Sequence, residues 1–127
     1  MLTGLGLGTE QLAAEAAGGE GVPYVAVLPY PEPDSPWPAA SRRRYAGLLG
    51  AAKGQVVLGA RPPADREKAG AALRRRDAWL ARNSDEALVV WDGQDPVVGR
   101  QVRSLQDALG EEQVMVVSPR AGEAPAR

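Results

Sequence analysis

The chain begins with Met1-Leu2-Thr3-Gly4-Leu5-Gly6-Leu7-Gly8-Thr9-Glu10-Gln11-Leu12-Ala13-Ala14-Glu15, and this stretch decides the fold. A short apolar run leads into three alternating glycines, and an alanine-rich pattern typical of a helix follows at once. The order predicts a strand, a tight loop and a helix that runs to about residue 17. Glycines allow a ligand to approach the backbone closely, Thr9 is a residue type that caps helices, and a helix N-terminus attracts anions. Taken alone, the stretch indicates either a phosphate-binding loop or only a tight turn.

The composition of the 127 residues narrows the chemistry. Apolar residues make up 44% and charged residues 24%, which is typical of a globular protein, and we expect one domain over residues 1–117 with a loose tail over residues 118–127. No apolar run is long enough to span a membrane, so we expect a cytoplasmic protein without a membrane partner. The absence of cysteine and histidine removes disulfides, thiolate nucleophiles, imidazole bases and ordinary zinc sites. We therefore expect no metal site, and the sequence requires no cofactor.

The charge is unevenly distributed although the net charge is only −1. Residues 1–41 hold five acids and no Lys or Arg, whereas residues 42–76 hold ten bases and two acids. The basic part includes the triplets Arg42-Arg43-Arg44 and Arg74-Arg75-Arg76. Such triplets suit phosphates or nucleic acid, but arginine runs on helices are more often solvated faces, and we favour the second interpretation.

Strand and helix patterns alternate along the rest of the chain. Apolar runs predict strands, which after the first are residues 24–28, 55–58, 87–91 and 113–117, and the runs of residues 24–28 and 87–91 predict buried strands. Helical spacing predicts helices from about residue 38, over about residues 66–82, and after Pro96, and the second of these places Ala69, Leu73, Asp77 and Leu80 on one face. Five prolines exclude a helix or a central strand from residues 29–38. The pattern predicts a three-layer α/β domain with a mostly parallel five-stranded sheet, whose ligand lies beyond the carboxyl ends of the strands.

Several of these segments, in this order and spacing, resemble the YpsA-like branch of the SLOG superfamily, the Rossmann-like domains related to DprA and to the Lonely Guy enzymes. The resembling segments are Thr3 to Glu10 with Ala13-Ala14-Glu15, Ala26 to Pro31, Trp37-Pro38, Arg44-Tyr45, Arg75 to Trp79, and Ser84-Asp85 to Trp91-Asp92-Gly93. The resemblance implies a Rossmann-like domain that binds a nucleotide or a nucleotide-derived ligand.

The sequence also departs from the family. The family has a strand and a helix before the first glycine loop, so we expect a domain that is N-terminally truncated relative to it. Glu10 stands where Asp is usual, and Asp77 where Asn is usual. The second phosphate loop, Gly-Gly-Thr in the family, is replaced by Pro96-Val97-Val98, which lacks one amide and one hydroxyl and disfavours the backbone angles of a phosphate site.

Together, the loop, the strand ends and the resemblance select the candidate ligand-binding residues. They are Gly4, Gly6, Gly8, Thr9, Glu10, Trp37, Arg44, Asp77, Asp92 and Gly93. The glycines would donate amides, and Arg44 would reach a phosphate. Glu10 would accept ribose hydroxyls, orient the loop, or be only a solvated acid in the first turn of the helix. Trp37 would stack on a base or pack its own loop. Asp92 would contact the ligand or only form a turn with Gly93.

We favour binding or sensing of a nucleotide-like small molecule without chemistry. The alternative is a nucleoside-monophosphate N-glycosidase resembling the Lonely Guy enzymes. Glu10 and Asp92 are the only carboxylate pair that we can propose for such cleavage, and the acidic loop of those enzymes has no counterpart here. A third reading is a DNA-binding module of the DprA type, which the arginine triplets leave open but do not favour. A homo-oligomer is also left open.

Overall fold

The computed structural model describes residues 1–118, which form two compact units, Met1–Leu80 and the described residues from Ala81 onward. The fold class is α/β with parallel strands, broadly Rossmann-like. Residues 119–127, which hold most of the predicted tail, lie outside the described part. The expectation of one domain over residues 1–117 stays a prediction.

The first unit contains a three-stranded parallel sheet and three helices. Its strands are β1 (Leu2–Thr3), β2 (Val25–Leu28) and β3 (Gly54–Val57), in the order β1-β2-β3. Its helices are α1 (Thr9–Gly19), α2 (Ala39–Ala51) and α3 (Arg66–Arg82), of which the last two residues of α3 belong to the second unit. The predicted range of α3 is confirmed, whereas α1 continues through Gly18 and Gly19, two residues beyond its predicted end.

The core of the first unit forms around the central strand β2. Ala26, Val27 and Leu28 are at most 3% exposed, as the continuous apolar run predicts. The buried cluster comprises Leu5, Ala14, Ala17, Tyr24, Ala26, Leu28 and Tyr45. Residues 29–38 form neither helix nor strand, in agreement with their prolines.

The buried face of α3 differs from the predicted one. Leu73 is 40% exposed, while the buried residues of the helix are Ala72 and Arg76. The other three residues of the predicted stripe, Ala69, Asp77 and Leu80, are half-buried. The prediction was therefore wrong for Leu73 and missed Arg76, because the helix buries a guanidinium that has carboxylate partners.

The second unit contains β4 (Ala87–Val90), α4 (Pro96–Leu109), a short 3-10 turn (Glu111–Gln113) and β5 (Val114–Val117). Strands β4 and β5 pair in parallel as a separate two-stranded sheet. The five strands of the described residues thus form a three-stranded and a two-stranded sheet, and the predicted five-stranded sheet is not observed. Strand β1 consists only of Leu2 and Thr3, which pair in register with Val25 and Ala26 of β2.

The strand predicted at residues 87–91 is present as β4, but the prediction that it is buried was wrong. Leu88 and Met115, which are register partners, are 63% and 65% exposed, whereas Val114 is 8% exposed. Ala87, Val89 and Val90 are half-buried, and Val116 and Val117 are exposed, so an apolar run also fits strands that are only partly covered. None of the helices within residues 1–118 is both long enough and apolar enough to cross a membrane.

Candidate functional site

The loop between β1 and α1, residues 4–8, is fixed by side chains at both ends. The Thr3 hydroxyl accepts a hydrogen bond from the Leu5 amide at 3.2 Å, and the buried Gln11 side-chain amide donates to the Leu5 carbonyl at 3.2 Å. Leu5 has a φ of 53° and is 0% exposed, so its side chain anchors a left-handed turn in the core. The backbone of the loop is therefore preorganised.

Helix α1 begins without a side-chain cap. Its N-cap is Gly8, at a φ of 89°, and the first helical hydrogen bond runs from the Leu12 amide to the Gly8 carbonyl. The prediction that Thr9 caps the helix was wrong, because Thr9 is the first helical residue and the cap position requires the positive φ that glycine supplies. The amide groups of an uncapped first turn point outward from the helix and suit an anionic acceptor.

The carboxylate of Glu10 folds back onto this loop. Its Oε2 atom accepts a hydrogen bond from the Gly6 amide at 3.2 Å, and its Oε1 atom lies 3.6 Å from Nη2 of Arg76. The Glu10 side chain remains 38% exposed. The Glu10 carboxylate thus contacts the loop of residues 4–8 and also links this loop to α3.

Arg76 lies directly behind the loop. The residue is 9% exposed, and its Nε and Nη2 atoms donate to Oδ1 of Asp77 at 3.2 and 3.0 Å. A Cβ atom on Gly4 would lie 2.8 Å from the Arg76 guanidinium carbon and 2.6 Å from Oε2 of Glu10. Gly4 is therefore glycine because the buried guanidinium and the Glu10 carboxylate occupy the space of a side chain.

Arg76 is the residue that the list of candidates omitted. It belongs to a triplet that we interpreted as solvated, and that interpretation was wrong for this member of it. A signal was present in the sequence, because residue 76 follows Ala72 by four positions and precedes Leu80 by four. A cation on an otherwise apolar helical stripe indicates a buried ion pair or a site.

Two other candidates of the first unit have partners in the protein. The ring of Trp37 packs edge-on against Tyr45, with centroids 5.3 Å apart and an interplanar angle of 83°, and Trp37 borders the core. Nε of Arg44 donates to Oε1 of Glu15 at 2.6 Å, which joins α2 to α1. This hydrogen bond lowers the pKa of Glu15 and raises the pKa of Arg44. Trp37 therefore packs its own loop, and Arg44 forms an exposed ion pair.

The candidates Asp92 and Gly93 lie in the second unit and form a turn. Oδ1 of Asp92 accepts hydrogen bonds from the amides of Gln94 and Asp95 at 2.8 and 2.9 Å, and Gly93 has a φ of 83°. The amide of Asp95, followed by that of Gln94, lowers the pKa of Asp92. Within this unit the carboxylate shapes its own loop.

The segment that replaces the second phosphate loop is the start of α4. Oδ1 of Asp95 accepts from the amides of Val97 and Val98 at 2.9 and 3.4 Å, and Pro96 occupies the first helical turn. Both amides therefore donate their hydrogen bonds to the side chain of Asp95. The first turn of α4 is thus capped internally, unlike that of α1.

A shallow, open depression of about 200 Å³ lies beside this turn. It is lined by Val90, Trp91, Asp92, Asp95 and Val98. Ligand pockets commonly have volumes of about 300–1,000 Å³, so the depression is small for a nucleotide. The Trp91 indole donates to the Asp95 carbonyl at 2.9 Å and packs where Gly99 has no side chain.

The structure therefore brings one group of candidates together. Within the first unit, Gly4, Gly6 and Glu10 meet Asp77 through Arg76, while Gly8 ends the loop and Thr9 begins α1. In residues 1–118, no cluster of three or more His, Cys, Asp or Glu residues could hold a metal ion. No protein-family model matches the chain, and no curated protein matches it either.

Proposed function

We propose that the first unit binds the anionic group of a nucleotide or nucleotide-derived small molecule at the loop of residues 4–8 and the N-terminus of α1. The observation that carries the proposal is the uncapped first turn of α1, which follows a glycine loop at the carboxyl end of a parallel strand. Amides in this position donate to phosphate in many α/β proteins. The resemblance to the SLOG superfamily, with its Rossmann-like five-stranded sheet, belongs to the same proposal.

The buried guanidinium supports this assignment. Arg76 provides a positive charge immediately behind Gly4, and the side chain is 11% exposed, so solvent screens it little. The same arginine is held in place by Asp77, which keeps its position independent of a ligand. The loop therefore combines backbone donors with a fixed guanidinium donor, which pairs with Glu10 and Asp77 in this structure.

The test exploits the position of Thr9 as the first residue of α1. Proline is well tolerated at this position, but it has no amide hydrogen. A calorimetric panel of nucleoside monophosphates, nucleoside diphosphates and dinucleotides first identifies the nucleotide that the wild type binds best. We expect Thr9→Pro to keep the melting temperature of the wild type and to bind that nucleotide at least tenfold more weakly. The matched control is Thr9→Ala, which keeps the amide and should bind as the wild type does.

Absence of heat with every nucleotide would contradict the proposal, as would loss of binding in Thr9→Ala with retention in Thr9→Pro. Gly6→Val provides an independent check, because a Cβ at this position would already lie 3.2 Å from Oε1 of Glu10. We expect this variant to abolish binding.

Nothing in the described residues favours the two alternatives over binding. Glu10 contacts the Gly6 amide and Arg76, and Asp92 accepts two amides of its own turn. Chromatography of nucleoside monophosphates incubated with the protein tests the hydrolase. A protein-dependent peak of free base would replace the binding proposal with an N-glycosidase.

A further inference from the structure

The carboxylate of Glu10 contacts two hydrogen-bond donors that could otherwise bind an anion. The Gly6 amide and the Arg76 guanidinium both face Glu10, at 3.2 Å and 3.6 Å. A backbone amide combined with a guanidinium is a donor set that proteins use for phosphate and carboxylate groups. In this structure the anion that they hold comes from the chain itself.

We infer that Glu10 is a built-in competitor for the ligand, and that the ligand's anionic group displaces its carboxylate from Gly6 and Arg76. The inference rests on the proposed function and adds a means of regulating the same site. It requires that Glu10 can leave while the donors stay in place, and the contacts of these residues differ in that way.

The contact between Glu10 and Arg76 is the weaker of the two that hold the arginine. Its distance of 3.6 Å exceeds the 2.7–2.9 Å of strong charge-assisted hydrogen bonds, and the Glu10 side chain is 38% exposed. Asp77, in contrast, lies 3.0 Å from Nη2 and 3.2 Å from Nε of Arg76. Glu10 can therefore turn into solvent while Asp77 keeps the guanidinium behind the loop.

Charge also opposes a ligand while Glu10 remains. The guanidinium contributes +1, and Glu10 and Asp77 each contribute −1, so the group of three is net negative. Replacement of Glu10 by glutamine makes the group neutral and preserves an oxygen that can accept from the Gly6 amide. The variant Glu10→Gln thus removes the competition without removing the contact that shapes the loop.

The experiment measures binding of inorganic pyrophosphate to the full chain by calorimetry. We expect Glu10→Gln to bind pyrophosphate about tenfold more tightly than the wild type, because no carboxylate must be displaced. The matched control is Glu15→Gln, which makes the same change on the same helix at a carboxylate that pairs with Arg44. It should bind within twofold of the wild type, which excludes a general effect of net charge.

The possible outcomes separate the inference from the proposed function. Equal or weaker binding by Glu10→Gln, with binding by the wild type, overturns the inference and leaves the proposed function standing. No binding of pyrophosphate or of any nucleotide by wild type or variant overturns both. Binding by Glu10→Gln alone supports strong competition. If Glu10→Gln does not fold, Glu10→Ala decides in its place, with a smaller gain expected because the contact with the Gly6 amide is also lost.

Discussion

A Cβ atom on Gly4 would lie 2.8 Å from the guanidinium carbon of Arg76, so the glycine and the buried arginine depend on each other. The arginine approaches the loop this closely because residue 4 has no side chain. In turn, its positive charge lies within reach of the loop only because Glu10 and Asp77 compensate its burial. This relationship connects the packing of the first unit to its proposed ligand chemistry.

Three glycine-to-alanine variants should differ in stability. Gly59→Ala should lower the free energy of unfolding by about 2–3 kcal/mol, because its Cβ would lie 2.8 Å from the backbone carbonyl of Pro29. Gly4→Ala should cost about 1 kcal/mol, since the groups that it meets are side-chain ends that can shift. The control Gly18→Ala meets nothing within 4 Å and should gain about 0.5–1 kcal/mol. Urea unfolding measures all three, and equal values for Gly4 and Gly18 would contradict the close approach of Arg76.

Two buried tyrosines should respond oppositely to loss of the hydroxyl group. The Tyr45 hydroxyl is buried without a hydrogen-bond partner among the described residues, so Tyr45→Phe should be neutral or stabilising by up to about 1 kcal/mol. The Tyr24 hydroxyl donates to the Leu48 carbonyl at 2.5 Å, so Tyr24→Phe should cost about 1 kcal/mol. Thermal unfolding of the pair measures the difference, and a destabilised Tyr45→Phe would reveal a partner for that hydroxyl.

Stability should fall at alkaline pH because of Tyr45. Burial, and then the negative charge of Asp34, raises the pKa of Tyr45 from 10.0 to about 12. Between these values the unfolded chain releases this proton while the folded chain keeps it, so the free energy of unfolding decreases as the pH rises. The decrease from pH 10 to pH 12 should be smaller in Tyr45→Phe. Equal slopes for variant and wild type would contradict the raised pKa.

The turn at Asp92 should loosen without its carboxylate. Asp92→Ala removes the acceptor of the Gln94 and Asp95 amides, so both amides should exchange with deuterium at least tenfold faster. Asp92→Asn keeps an acceptor oxygen and should change the exchange rates less. Unchanged rates in Asp92→Ala would show that the turn is held by other contacts.

The capping aspartate of α4 should matter more than a second aspartate on the same helix. Asp95→Ala removes the acceptor of the Val97 and Val98 amides and should cost about 0.5–2 kcal/mol. Asp107 lies in the last turn, where a negative charge is unfavourable, so Asp107→Ala should be neutral or slightly stabilising. Urea unfolding compares the two, and equal effects would contradict the role of the cap.

The sequence predicted those features that depend on local patterns. The strand around Val27, the helix over residues 66–82 and the loop of residues 29–38 were all predicted, because apolar runs, helical spacing and prolines act locally. The glycine stretch before α1 also lies where a strand-loop-helix pattern placed it. These parts of the fold require no knowledge of distant contacts.

Features that depend on distant partners escaped prediction. The burial of Arg76 follows from Glu10, which lies 66 positions earlier in the chain, and no local pattern indicates that pairing. The exposure of Leu88 likewise depends on which faces of the strand are covered. The burial of a charged residue or of an apolar run therefore depends on its neighbours in space, which the local sequence does not specify.

The side chain of Leu5 makes the loop of residues 4–8 an extension of the hydrophobic core. A residue at a φ of 53° would ordinarily be glycine or asparagine, yet this one is fully enclosed beside Ala14 and Tyr24. Burial of the Leu5 side chain compensates the strained backbone conformation at this residue. Second-site substitutions that let Leu5 relax should therefore misalign the amides above it, and binding would be lost although no donor had been changed.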